Sequence, residues 1–139
     1  MTQTATYDLR NNLLQGVSIA PGSSYSSGSD VNGDWVDASG IQGPVQFLCS
    51  TGTVSGSPSA QSINFELYEA DDNSGTNAQK VSNQTEVTLT ADKSVGIGRG
   101  QTTKPYVRVV VKNADSSFTG GTSPSQDVAA FILAQKYKF

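Results

Sequence analysis

The sequence predicts an all-β protein: an antiparallel, jelly-roll-like β-sandwich of about seven or eight short strands, with an N-terminal arm. Several stretches place β-branched and aromatic residues at a spacing of two, which is the side-chain period of a strand. Gly, Ser, Asn and Asp cluster between these stretches, as expected of turns. No stretch of ten or more residues has a sustained 3.6-residue apolar period, so no amphipathic helix is predicted. Short strands with mixed one-sided and two-sided burial favour a sandwich over a barrel.

Residues 1–16 are predicted to form an N-terminal arm or a short helix ending at Gly16. They carry apolar side chains without strand alternation. This segment either folds back on its own domain or lies on a neighbouring subunit. Residues 17–139 are predicted to form a single β-sandwich domain, since a chain of 139 residues suits one hydrophobic core.

The first strand candidate is Val17–Ala20, and the loop chemistry of Pro21–Gly28 follows it, with Tyr25 as its one bulky residue. The next segment contains Asn32-Gly33 and predicts a turn leading into a strand through Trp35 and Val36.

A calcium loop is the alternative for this segment, because Asp30, Asn32 and Asp34 have the alternating oxygen-ligand spacing of such loops. Gly33 stands two positions too early for an EF-hand, however, and the closing bidentate Glu and the flanking amphipathic helices are missing. No metal is therefore predicted.

The next strand is predicted over Val45–Ser50, with Thr53-Val54 as a continuation beyond Gly52. Alternation places Val45, Phe47 and Cys49 on one face, so Cys49 is predicted to be a small core residue and not a reactive thiol. As the only cysteine, it excludes an intrachain disulfide.

Two further strands are predicted in the middle of the chain. Ser62–Glu69 is expected to be half-buried, with Ile63, Phe65 and Leu67 facing inward and Asn64, Glu66 and Tyr68 facing outward. The turn sequence Asp71-Asp-Asn-Ser-Gly then ends it. Thr85–Thr90 alternates again, with Val87 and Leu89 on one face.

Gly96-Ile-Gly-Arg-Gly resembles a phosphate-binding loop only in glycine content. Neither Gly-x-Gly-x-x-Gly nor Gly-Lys-Ser/Thr is present, and there is no βαβ context. A glycine-broken strand, a bulge or a tight connection is the prediction.

Lys104–Lys112 is the most strand-like segment and is predicted to be a central strand beginning at Tyr106, because Pro105 lacks a ladder donor. Its valines at 107, 109 and 111 should fill the core, and Arg108 and Lys112 should face solvent or a neighbour. The final strand lies within Gln126–Phe139, and its part Val128–Gln135 is predicted to pair with the central strand.

The composition excludes several classes of function. The net charge of −3 and the lack of a basic cluster disfavour nucleic acid binding. No apolar run approaches the roughly 20 residues that span a bilayer, so a soluble protein made in the cytoplasm is expected. Histidine is absent, which removes Ser-His-Asp and Cys-His catalysis. Neither an enzyme nor a cofactor is predicted.

A glycan platform is the alternative binding function. The aromatic residues that could form it are Tyr25, Tyr68, Tyr106 and Tyr137, since tyrosines offer flat apolar faces with polar tips. Packing at the edge of the core explains the same residues equally well.

Five segments follow one another in an order that resembles that of a known family of proteins. The loop at 30–37 leads to Ser50-Thr-Gly-Thr-Val, then to Phe65-Glu-Leu-Tyr-Glu-Ala-Asp-Asp-Asn-Ser-Gly, then to Lys104-Pro-Tyr-Val-Arg-Val-Val-Val and finally to Val128-Ala-Ala-Phe-Ile-Leu-Ala-Gln. Over roughly residues 30–136 this succession resembles the capsid decoration, or cement, and minor head proteins of tailed bacteriophages.

The resemblance implies a virion structural protein without catalysis, made in the host cytoplasm and bound to the outer surface of the shell. Its partners would be the major capsid protein and further copies of itself, with a trimer as one arrangement. The predicted adhesive residues lie at the two ends of the chain: Tyr7, Leu9, Leu13, Leu14, Tyr137 and Phe139. A glycan- or host-binding module on a fibre or knob, and a tail or connector protein, are the alternatives.

Overall fold

The computed structural model describes residues 13–41 and 43–135. This part of the chain contains twelve strands and no α-helix, so the predicted all-β fold is confirmed. The strands are β1 (Leu13–Ser26), β2 (Val31–Asn32), β3 (Val36–Asp37), β4 (Val45–Ser55), β5 (Ala60–Ala70), β6 (Gln79–Lys80), β7 (Gln84–Thr85), β8 (Val87–Leu89), β9 (Val95–Gly100), β10 (Tyr106–Val111), β11 (Ser117–Thr119) and β12 (Ser125–Gln135). The number exceeds the predicted seven or eight because several strands are only two or three residues long.

The strands form two antiparallel sheets. The first sheet has the order β1-β12-β4-β9-β7, and the second has β11-β5-β10-β2, with β3 paired to β10 and with β6 and β8 paired to β5. The chain passes from one sheet to the other at eight connections: β1–β2, β3–β4, β4–β5, β6–β7, β7–β8, β8–β9, β9–β10 and β11–β12. With β1-β12-β4-β9 in one sheet and β2-β10-β5-β8 in the other, this is the strand order of a jelly roll.

The core lies between the two sheets and is built from alternate residues of the long strands. Its fully buried members include Val45, Phe47 and Cys49 from β4, Ile63, Phe65 and Leu67 from β5, and Val107, Val109 and Val111 from β10. These three predicted inward faces are confirmed, as are those of Val87 and Leu89 on β8. Burial raises the pKa of the Cys49 thiol far above its usual range, in keeping with a core residue.

The predicted pairing of β10 with β12 is wrong. Strand β10 is bonded to β5 on one side and to β2 and β3 on the other, so both of its edges are occupied. Strand β12 lies in the other sheet, between β1 and β4. The two segments are close in sequence, but the jelly-roll connection through β11 crosses between the sheets.

The start of the domain also differs from the prediction. Leu13–Gly16, predicted to belong to the arm, begin β1, which pairs with β12 from Leu13 opposite Gln135 onward. A helix ending at Gly16 is therefore wrong for these four residues, and residues 1–12 lie outside the described part of the chain. A Cβ at Gly16 would lie 2.7 Å from Val36 Cγ1, so the strand approaches β3 closely there.

The position of Tyr25 and the outward side of β5 also differ from the prediction. Tyr25 belongs to β1 and is fully buried: its ring stacks on Phe118 at 5.6 Å, and its hydroxyl donates to Asn113 Oδ1. The outward side of β5 is buried too, since Asn64 and Glu66 are covered by neighbouring segments of the chain. The alternation of apolar and polar residues predicts on which side of the sheet a side chain lies. It does not predict whether other segments of the chain cover that side.

Candidate interaction face

The glycines of β9 face the core and leave it without side chains on its inner side. A Cβ at Gly98 would overlap Phe47 Cζ and lie 2.6 Å from the carbonyl oxygen of Thr85, and a Cβ at Gly96 would lie 2.6 Å from Val87 Cγ1. Phe47 and Val87 fill the space that side chains on β9 would otherwise occupy. The Gly-x-Gly-x-Gly pattern therefore allows the core residues to pack closely against the backbone of β9. Of the predicted interpretations, a strand containing glycines is the one that the structure shows.

All the apolar side chains of β9 consequently point outward. Val95 and Ile97 are each 65% exposed, and neither contributes to the core of its own domain. Isolated exposed apolar residues are ordinary, but an entire strand that buries glycine and exposes valine and isoleucine reverses the usual pattern.

The register of the first sheet places these residues in four parallel rows on its outer face. The arginine row is Gln15, Leu133, Gln46 and Arg99; the apolar row is Val17, Phe131, Leu48 and Ile97; the serine row is Ala129, Ser50 and Val95; and the aspartate row is Asp127 beside Gly52. In the apolar row, Val17 is 45% exposed and Leu48 is 37% exposed, and Leu133 in the next row is 40% exposed. The apolar row thus crosses four strands without interruption.

This outer face is poor in charge. Of the residues in the four rows only Arg99 and Asp127 are ionisable, and they lie in the two outermost rows. The centre of the face is therefore uncharged and apolar, which is the composition found in the buried centre of protein interfaces. Monomeric proteins seldom leave such a contiguous area uncovered without a use for it.

The outer face of the second sheet is covered by the protein itself. The Arg108 guanidinium lies over the Trp35 ring at 4.4 Å, and Trp35 in turn packs against Gly75, whose added Cβ would be 3.2 Å from the indole nitrogen. Lys112 lies 5.6 Å from the centre of the Tyr68 ring. Arg108 and Lys112 therefore contact neighbouring side chains of their own domain.

The most buried ionisable group on that face is Glu66, which is 1% exposed. One of its oxygens lies 3.1 Å from Lys80 Nζ, which also bonds Glu86 at 2.6 Å. Burial, with the neighbouring Asp115 carboxyl as the next cause, raises the pKa of Glu66 to about 7. No other atom of the described structure bonds its second oxygen, Oε2. Glu66 can thus titrate near neutral pH.

The residues weighed as a calcium loop have other roles. Asp30 bonds Lys112 Nζ at 2.9 Å and accepts the Asn113 amide at 2.8 Å, and the hydrogen bond from Lys112 is the main cause of its lowered pKa. Asn32 belongs to β2, and Asp34 is exposed beyond it. Within residues 13–41 and 43–135, no three acidic or cysteine side chains are grouped to hold a metal ion.

The predicted tyrosine platform does not assemble from the residues that are described. Tyr25 is in the core, and Tyr68 and Tyr106 are half-buried on β5 and β10. Tyr137 lies outside the described residues. With Tyr25 inaccessible, two half-buried tyrosines remain on the second sheet.

The predicted adhesive residues can be placed only in part. Leu14 is partly buried and packs against the core cluster, and Leu13 is the first residue of β1. Tyr7, Leu9, Tyr137 and Phe139 lie outside the described residues. Because Leu13 pairs with Gln135, the two terminal segments that carry these four residues join the domain at neighbouring positions.

Sequence reasoning missed the outer face of the first sheet. Val95 and Ile97 lie in a segment interpreted only through its glycines. The final strand has apolar residues on both sides, which predicts cover on both faces at least in its first half, yet Leu133 is 40% exposed. The signal was present in Val-Gly-Ile-Gly-Arg-Gly, where the residues with side chains alternate with glycine. Such alternation indicates a strand with one face of glycines and one face of side chains, and the second face is the one that can contact another molecule.

No protein-family model matches the chain, and a search of curated proteins finds no significant sequence match. No helix in the described residues is long and apolar enough to cross a membrane.

Proposed function

We propose that the protein is a structural component of a tailed-phage virion: a decoration, or cement, protein that binds the outer surface of the major capsid shell and stabilises it. The observation that carries the proposal is the uncharged apolar outer face of the first sheet, on a domain whose core is already complete. A face of this kind favours a protein that works in contact with other protein surfaces. The resemblance over residues 30–136 narrows that setting to the phage head.

Attachment to the shell is assigned to the two chain ends, where the predicted adhesive residues lie. The pairing of Leu13 with Gln135 supports this assignment, because both terminal segments join the sandwich at one end of the β1-β12 ladder. Two short segments that start from one place can engage one site on the shell together. Each then raises the effective concentration of the other.

Such a protein stabilises the shell by mass action: its binding shifts the equilibrium towards the assembled state. A protein that binds the assembled shell and not its separated subunits stabilises the shell by RT ln(1 + [L]/Kd) for each site. Hundreds of weak sites add up to a large effect on the particle, so a modest affinity for each copy is sufficient. No reaction is required of the protein.

The test is binding of the purified chain to shells of the phage that encodes it, prepared without the protein. We expect saturable binding at hundreds of copies for each shell, and a loss of roughly tenfold or more in affinity when residues 1–12 are removed, since one of two linked contacts is lost. A chain ending at Gln135 serves as the matched truncation at the other end. Absence of binding by the full chain would overturn the proposal.

Two controls separate the alternatives. A count of about a dozen copies for each particle would place the protein at a connector or tail, because decoration needs hundreds. Binding to a glycan array, with none to shells, would instead support the glycan-binding module.

A further inference from the structure

We infer that the open edge of β9, at residues 95–97, is a binding site for an extended segment of a partner protein, which joins the first sheet there as an added antiparallel strand. The segment that fits the site has apolar residues at alternate positions and an acidic residue at its N-terminal end. Under the proposed function the partner is the major capsid protein, and the inference rests on that proposal only for the identity of the partner.

The edge is open because β7 pairs only with the last two residues of β9, Arg99 and Gly100. Before Arg99 is passed, the chain crosses to the second sheet, where β8 pairs with β5. A strand that continued in the register of β7 would place its next residues opposite Ile97 and Val95. No strand of the described residues occupies these two positions.

The backbone groups of Val95 and Ile97 point towards this open edge. Residues of an antiparallel strand direct their N–H and C=O groups alternately to one side and the other. Thr51 of β4 donates to the carbonyl of Ser94 at 3.0 Å, and Gln101 donates to the carbonyl just before β7 at 2.9 Å. Both bonds set the same phase, in which the glycines of β9 bond to β4 and the residues between them face away from it. The two N–H and two C=O groups of Val95 and Ile97 have no partner in the described residues. One antiparallel strand satisfies all four.

The side chains around the edge set the pattern of the added strand. Residues directly opposite each other share a face of the sheet, so a residue opposite Val95 or Ile97 lies on the outer face. It contacts a side chain that is 65% exposed, and an apolar residue is expected there. The residue between them faces inward over β8, where Val87 Cγ1 is only 2.6 Å from the Cβ that Gly96 lacks. This narrow space suits a small residue, so the pattern is apolar, small, apolar.

Arg99 gives the added strand its charge preference. Its side chain follows Ile97 on the outer face and is exposed, and no carboxylate of the described residues forms an ion pair with it. Arg99 also lines a cavity of about 410 Å³, together with Thr85 and Gln101. An antiparallel strand places its N-terminal end beside Arg99. An acidic residue at that end therefore meets an unpaired guanidinium.

A second copy of the chain fits this edge poorly. Pairing of two β9 edges with Val95 opposite Ile97 would bring Lys93 of one copy opposite Arg99 of the other, and like charges in that position repel. The place beside Arg99 is also taken by Thr85 of β7. A short segment that turns away at Thr85 meets neither obstacle, so the occupant is a segment of another protein.

Amide hydrogen exchange of the full chain, followed by NMR, tests whether the edge is open. We expect the Val95 and Ile97 amides to exchange at least about tenfold faster than those of Gly96 and Gly98, which bond to β4. Protection of Val95 and Ile97 in the dilute protein would show a covered edge and overturn the inference. Protection that grows with protein concentration would show a second copy at the edge and overturn it as well.

The capped peptide acetyl-Asp-Val-Ala-Val-amide tests binding. At up to about 5 mM it should shift the Val95 and Ile97 amide resonances in a saturable way and slow their exchange. N-methylation of both peptide valines removes the donors to β9 and should weaken binding about fivefold or more. N-methylation of the alanine, whose N–H points away from β9, should leave binding unchanged and is the matched control. No shift of these amides, or an equal effect of the two methylations, would refute the inference.

The variant Arg99→Gln tests the charge preference. It should weaken binding of this peptide about twofold to threefold and leave binding of the same peptide with Asn in place of Asp unchanged. Equal loss for both peptides would refute the pairing with Arg99. Failure of the peptide to bind, with shell binding intact, would refute this inference and leave the proposed function standing. Peptide binding without shell binding would uphold the edge site and refute the proposed function.

Discussion

The burial of Glu66 predicts an unusual dependence of stability on pH. Its pKa rises from an ordinary value of 4.5 to about 7 in the folded protein, chiefly because burial penalises the carboxylate. The folded state therefore binds this proton more tightly than the unfolded state does. The stabilising contribution of the protonated group is complete below pH 4.5, falls as the pH rises through the folded pKa near 7, and is absent above it.

The magnitude follows from the two pKa values. With 4.5 in the unfolded chain and about 7 in the folded one, the loss of unfolding free energy is about 1 kcal/mol at pH 5 and about 3 kcal/mol at pH 8, both from the linkage relation. Glu66→Gln removes the titration and keeps the volume. Its amide can still accept a hydrogen bond from Lys80, which keeps its bond to Glu86. Relative to wild type, the free energy of unfolding of the variant should therefore rise by about 2 kcal/mol between pH 5 and pH 8.

Urea unfolding at pH 5, 6, 7 and 8, with both proteins in the same buffers, measures this difference. Asp115→Asn is the informative companion variant, because the neighbouring Asp115 carboxyl helps to raise the Glu66 pKa. It should move the titration to lower pH without abolishing it. If the free-energy difference between wild type and Glu66→Gln stayed constant within about 0.5 kcal/mol across this range, the buried-carboxylate argument would be wrong.

Three further outcomes are expected from the packing of the core. Gly98→Ala should destabilise the protein by about 3 kcal/mol in urea unfolding, because the new Cβ meets Phe47 and a backbone carbonyl that cannot move aside; a cost below 1 kcal/mol would contradict the packing of β9. Tyr25→Phe should cost about 1 kcal/mol in the same assay through loss of the hydrogen bond to Asn113, and an unchanged stability would show that this bond contributes nothing. Cys49 should react with a thiol reagent only at the rate of global unfolding, whereas rapid labelling of the native protein would show that its site is open.

The alternation of apolar and polar residues predicted the fold class and the core. Each strand buries every second side chain between the two sheets, so its apolar residues recur with a period of two. The inward faces of β4, β5, β8 and β10 were read correctly for this reason. The predicted pairing of β10 with β12 was wrong, because nearness in sequence favours a hairpin. In a jelly roll, many successive strands lie in opposite sheets. Strand order depends on long-range contacts that a local pattern does not contain.

The candidate face could be predicted only in part, for a related reason. A strand pattern shows which side chains share a face, but covering elements decide whether that face is exposed. Asn64 and Glu66 are on an outer face and buried, whereas Val95 and Ile97 are on an outer face and open to solvent. Tyr25 was misplaced because its loop-like surroundings, rich in Gly and Ser, form the last part of a bulged strand that runs beside β12.

The contrast between the two outer faces bears on the direction of assembly. On the second sheet the protein buries Glu66 beside Lys80 and covers Arg108 with Trp35, although a buried ion pair adds little stability over an apolar replacement. Stacking a partner there would require further desolvation of these charges. The outer face of the first sheet carries no such penalty at its centre, because the ionisable residues of its four described rows, Arg99 and Asp127, lie in the outermost rows. Charge on one face and its absence at the centre of the other thus favour association through the first sheet alone, and a domain that associates through one face avoids open-ended stacking into fibres.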